Sequence, residues 1–86
     1  MPLKSTKIDD VEKFVNETYP DKFTDRVPCG NMCYNMILRI RVAADPREII
    51  FCFFYNGDLV WANYHDENAR TAEELEKLFA KTLGDK

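Results

Sequence analysis

The segment Glu48-Ile49-Ile50-Phe51-Cys52-Phe53-Phe54-Tyr55 is apolar on both faces that a β-strand presents, and Asn56-Gly57 follows it at once. Asn-Gly is the strongest short-range hairpin signal, because both residues tolerate the positive φ of a type I′ turn. The segment therefore predicts the middle strand of an antiparallel sheet, residues 48–55. Ile49, Phe51, Phe53 and Tyr55 share one face; Ile50, Cys52 and Phe54 share the other. Before it, residues 34–43 alternate in the same way. Tyr34, Met36, Leu38, Ile40 and Val42 line one face, and Asn35, Ile37, Arg39, Arg41 and Ala43 the other. Ala44-Asp45-Pro46-Arg47 reads as the turn between the two strands, its φ preset by proline. After Asn56-Gly57 a third strand covers residues 58–64, with Leu59, Trp61 and Asn63 alternating with Val60, Ala62 and Tyr64.

A helix is expected on each side of this meander. Over residues 8–19, Ile8, Val11, Phe14, Val15 and Tyr19 recur at spacings of three and four. Ser5 or Thr6 is placed to cap that helix, Asp9, Asp10 and Glu12 suit its first turns, and Pro20 ends it. Over residues 72–83, Ala72, Leu75, Leu78, Phe79 and Leu83 form the stripe. Thr71 and Glu74 make a capping box, and Gly84 stops the helix. Residues 20–33, PDKFTDRVPCGNMC, have no periodicity and read as an irregular loop. The fold expected is α+β: helix, three-stranded antiparallel meander, helix, one domain over residues 1–86, with both helices packed on one sheet face. Two helices cover one face of a small sheet and leave the other as a candidate working surface.

Charge narrows the function. The chain carries 12 basic and 15 acidic residues, a formal net charge of −3. No segment is strongly basic; Arg39, Arg41 and Arg47 are offset by Asp45 and Glu48. Nucleic-acid binders normally show a basic stripe, so phosphate binding is disfavoured. The odd count of three cysteines and a start without an apolar signal region point to a reducing compartment, the cytoplasm. The longest apolar run, Ile49–Tyr55, is too short to span a bilayer.

Two constellations invite chemistry. Cys29-Gly30-Asn31-Met32-Cys33 has a gap compatible with zinc ligation, and Cys52 and His65 are the remaining ligands of the right type. That quartet requires Cys52 to point at the loop while its neighbours fill a core. The cysteines read instead as free thiols, with Cys52 a small buried hydrophobe, and no cofactor is expected. His65-Asp66-Glu67 lies in a polar turn, where a solvated histidine is the ordinary reading. No paired carboxylates or phosphate-cradling loop indicate catalysis. The other constellation is a surface. Ile37, Arg39 and Arg41, joined by Phe54 and Tyr64, would make an apolar patch rimmed by arginines, the composition of a protein-binding face. A homodimer contact would bury the same patch.

Helix, three antiparallel strands, helix, in a chain of this length, resembles the double-stranded RNA-binding domains. In that family the last helix opens with lysines that clamp phosphates. Here the matching positions are Thr71-Ala72-Glu73-Glu74-Leu75-Glu76-Lys77, and the three glutamates repel phosphate. As one compact acidic α+β domain without catalytic residues, the chain also looks like small phage-encoded inhibitors such as the anti-CRISPR proteins. The reading is a non-catalytic protein that binds or inhibits a partner protein. Double-stranded RNA binding and a thiol or metal-dependent module on Cys29, Cys33 and His65 stand as the alternatives.

Overall fold

The computed structural model describes residues 3–20, 22–28, 35–42 and 45–84. Among them, α1 (Ile8–Thr18) is followed by β1 (Lys22–Pro28), β2 (Asn35–Val42), β3 (Asp45–Tyr55), β4 (Asp58–Tyr64), β5 (Glu67–Ala69) and α2 (Ala72–Phe79), which continues as a π-helical turn over Ala80–Gly84. The strands form one antiparallel sheet in the order β1-β2-β3-β4-β5. The α+β order of helix, antiparallel meander and helix is the one the sequence implies. β2, β3 and β4 are the expected strands, and β1 and β5 extend the sheet at its two edges.

Both helices lie on one face. Ile8, Val11, Phe14 and Val15 of α1 and Leu75, Leu78 and Phe79 of α2 meet Leu38, Ile50, Cys52, Phe54, Ala62 and Ala69 of the sheet in a single cluster. Phe14 stacks on Phe79 with ring centroids 6.1 Å apart, so the helices touch across the sheet. Full burial of each large apolar side chain contributes about 1.5–3 kcal/mol, and this cluster is the main source of stability.

The irregular loop expected over 20–33 holds a strand instead. β1 pairs with β2 from Lys22↔Val42 to Pro28↔Met36. Its sequence hides it, because its helix-facing row is polar: Thr24 and Arg26 meet the acidic flank of α1. The Thr24 hydroxyl donates to Glu12 Oε2 at 2.7 Å, and the Arg26 guanidinium donates to Asp9 Oδ1 and Glu12 Oε1, both at 2.6 Å. The Asp9 bond, with Glu12, raises the pKa of Arg26 further and locks its charge in place. Residues 29–34, which include Cys29, Cys33 and Tyr34, lie outside the described residues, as do Ala43 and Ala44. The expected turn at 44–47 also changes. Asp45, Pro46 and Arg47 belong to β3, and the β2–β3 ladder is irregular between Arg41 and Val42, near the proline that has no N–H to give.

The β3–β4 hairpin turns as its sequence predicts, with Asn56 at φ 54° and Gly57 at φ 84°. It also holds the start of α1. Ser5 and Thr6 do not cap the helix; the Ile8 N–H donates to the Gly57 carbonyl at 2.8 Å, and Leu59 N–H donates to Thr6 at 3.1 Å. Ser5 instead accepts from the Lys7 N–H and donates to Asp10. At α2 the Thr71 hydroxyl accepts from Glu74 N–H at 3.1 Å, while the Glu74 carboxylate accepts from the Arg70 N–H, one residue earlier than a capping box requires. Gly84 closes the last turn without a positive φ. A Cβ there would stand 3.3 Å from the Tyr19 ring, so close approach of an aromatic side chain explains the glycine.

Candidate functional site

The sheet face opposite the helices carries the exposed aromatic residues. Phe51 is 40% exposed, Tyr55 48% and Trp61 37%; Phe53 is half-buried, with its ring 5.8 Å from that of Trp61. The pleat of β3 produces this division. Ile50, Cys52 and Phe54 go to the core, and Phe51, Phe53 and Tyr55 go to the other side.

Register assembles the face across strands. Val27, Ile37, Phe53 and Trp61 stand at paired positions in one row. Asp25, Arg39, Phe51, Asn63 and Asn68 form the next, spanning all five strands. Arg41 pairs with Phe23 and Ile49 in the third. The backbone position of Ile37 therefore falls in the row of Trp61 and that of Arg39 in the row of Phe51, with Arg41 in the next row along the sheet.

Phe54 and Tyr64 do not join them. Phe54 is fully buried in the helix-covered core, and Tyr64 is half-buried and packs against that core. Phe54 follows from the parity of β3, which sets it beside Cys52 and Ile50. For β4 the strict alternation expected from the sequence fails at a bulge. Phe53 pairs with Trp61 but Phe54 pairs with Leu59, which leaves Val60 as the extra residue, 42% exposed. Leu59 thereby joins Ala62 and Tyr64 on the core side, and Trp61 and Asn63 stay on the open side. Phe51, Phe53 and Trp61 are the residues to name in place of Phe54 and Tyr64. The alternation of β3 contained that choice; which of its two apolar rows the helices would cover was not in it.

Asn63 organises the β5 end of the face. Its Nδ2 donates to the His65 carbonyl at 3.2 Å, to the Glu67 carbonyl at 3.3 Å and to Asn68 Oδ1 at 2.9 Å. These bonds hold the two-residue turn at His65-Asp66, where His65 takes φ 55°. His65 is exposed, and its ring lies edge-on to Tyr64 at 4.2 Å.

Of the thiol and metal constellation, Cys52 and His65 are described: Cys52 lies in the core and His65 in an exposed turn. Cys52 is buried among apolar side chains, and desolvation pushes its thiol up to about 12. A thiol so protonated at neutral pH is a poor ligand and a poor nucleophile. Among the described residues no group of three or more His, Cys, Asp or Glu is arranged to hold a metal ion. Cys29 and Cys33 lie outside the described residues. Also among the described residues, no helix is long and apolar enough to cross a membrane.

Comparison with protein families, with curated proteins and with solved structures finds no match. The geometry of the open face carries the functional reading.

Proposed function

We propose that the chain is a non-catalytic binding protein that docks a partner protein through the open sheet face. The observation that carries this reading is the set of exposed aromatic side chains, Phe51, Tyr55 and Trp61, on the side of the sheet away from both helices. Water-exposed rings of this size on one surface, with the Arg39 position in the row of Phe51, match the composition of protein-binding hot spots. Docking there occludes whatever the partner presents at the contact, which is how a small inhibitor acts, phage-type inhibitors such as the anti-CRISPR proteins included. The protein works in the cytoplasm in this reading, where its thiols stay reduced.

Affinity capture from lysate, run in parallel with three forms of the chain, tests the proposal. A protein captured by the wild type is expected to be lost with Trp61→Glu and kept with Lys13→Glu on exposed helix surface. Equal capture by Trp61→Glu and wild type would place the docking surface elsewhere.

A further inference from the structure

We propose that the cleft between Trp61, Asn63, Asn68 and Arg70 is a carboxylate anchor, which takes an acidic side chain from the surface of the protein partner; this rests on the docking reading above. The cleft is open and shallow, about 260 Å³, at the β5 edge of the aromatic face. The donors it offers are those of Asn68 and Arg70. Asn63 Nδ2 is spent on the His65 and Glu67 carbonyls and on Asn68 Oδ1, and the last of these bonds leaves the Asn68 amide N–H groups directed away from Asn63. The Arg70 guanidinium has no ion-pair partner among the described residues, while its main-chain N–H is fixed by Glu74 at the start of α2. An amide donor beside an unpaired guanidinium, next to an indole 37% exposed, is complementary to an oxyanion carried on an apolar stem.

The distribution of charge selects an acidic protein surface as the occupant. Three cations of the helix side and its flank are matched: Arg26 by Asp9 and Glu12, Lys77 by Glu73, and Lys81 by Glu67. The open-face rows hold the positions of Arg39 and Arg41, and Asp25 is the acid among their register partners. A second copy packed face to face would double the arginine positions on one buried surface and add only Asp25 from among their register partners. A single-stranded nucleic acid would use the same rings for stacking and needs a run of cations along its backbone, whereas a protein carboxylate needs one anchored arginine.

The chain has one tryptophan, so fluorescence of Trp61 reports the cleft directly. The probes are a capped peptide alternating glutamate and leucine, its lysine–leucine counterpart, and a ten-nucleotide oligo-dT. The glutamate peptide is expected to shift Trp61 emission saturably, with apparent affinity reduced roughly tenfold or more in Arg70→Gln and reduced again by salt. The lysine peptide should give no response. A response unchanged in Arg70→Gln, no response to the glutamate peptide, or a tighter response to oligo-dT would each overturn the proposal. In the capture assay, retention by Arg70→Gln with loss by Trp61→Glu removes the carboxylate anchor and leaves docking intact. Retention by both removes docking itself.

Discussion

Two phenylalanine positions on β3, Phe51 and Phe54, should differ sharply in what they contribute, because the strand separates a core from an open face. Phe54 is fully enclosed; Phe51, three residues earlier, is 40% exposed. Phe54→Ala loses the transfer free energy of a whole ring and leaves a cavity between the sheet and the helices, a cost of about 3–5 kcal/mol. Phe51→Ala removes a ring already partly in water and encloses no cavity, so its cost is about 1 kcal/mol. A domain of 86 residues is stable by roughly 4–13 kcal/mol, so the first change removes a large share of the total. Chemical denaturation followed by far-ultraviolet circular dichroism measures both. Phe54→Leu, which keeps most of the volume, should cost up to about 1.5 kcal/mol and keeps the comparison readable if the alanine variant does not fold. A loss for Phe51→Ala equal to or greater than that for Phe54→Ala, or for Phe51→Leu equal to or greater than that for Phe54→Leu, would refute the assignment of faces.

Four further outcomes follow from single contacts. Burial raises the Cys52 pKa to about 12, so the folded state keeps a proton that the unfolded thiol releases; stability from this group is intact below the ordinary thiol pKa of 9.0 and falls as pH rises from there toward 12. The alkaline loss measured for the wild type should therefore be smaller in Cys52→Ala, and equal slopes would contradict the burial. Thr82 Oγ1 is buried without a hydrogen-bond partner among the described residues, so Thr82→Val should raise stability by about 1 kcal/mol in the same denaturation assay. Gly57 has a φ of 84° with open space around it, so Gly57→Ala should cost about 1 kcal/mol from backbone strain alone, with no change in the packing seen by NMR shifts of core methyls. Arg26→Ala should loosen β1 from α1, seen as faster amide exchange in residues 22–28 with that of β4 unchanged.

The sequence carried the centre of the fold and lost its edges. The period of 3.6 in residues 8–19 and the period of 2 in residues 34–64 are imposed by a single apolar core, and they survive because helix and strand each bury one side there. β1 escaped because its helix-facing row is made of Thr24 and Arg26, which pair with acids on α1; such a strand has no apolar alternation to read. β5 is three residues long, and Ala69 is its one buried side chain. Ser5 looked like a cap because capping is a local signal, whereas the first N–H of α1 is satisfied from Gly57, far away in the chain. The candidate site was half legible for a related reason. Arg39 and Arg41 fall in the rows of the open face, but the choice between Phe51 and Phe54 depends on which side the helices take. The reversal at Leu59 depends on a one-residue bulge that no composition rule marks.

The central claim is that the open sheet face meets a partner, and Trp61 is an exposed ring on that face. The chain labelled with 5-fluorotryptophan gives a single fluorine resonance, because Trp61 is its one tryptophan. That resonance should respond to the solvent-isotope change from H2O to D2O in the free protein and lose most of the response when the captured partner is added. A resonance with the same solvent response in the free and bound states would show that the partner binds somewhere other than this face.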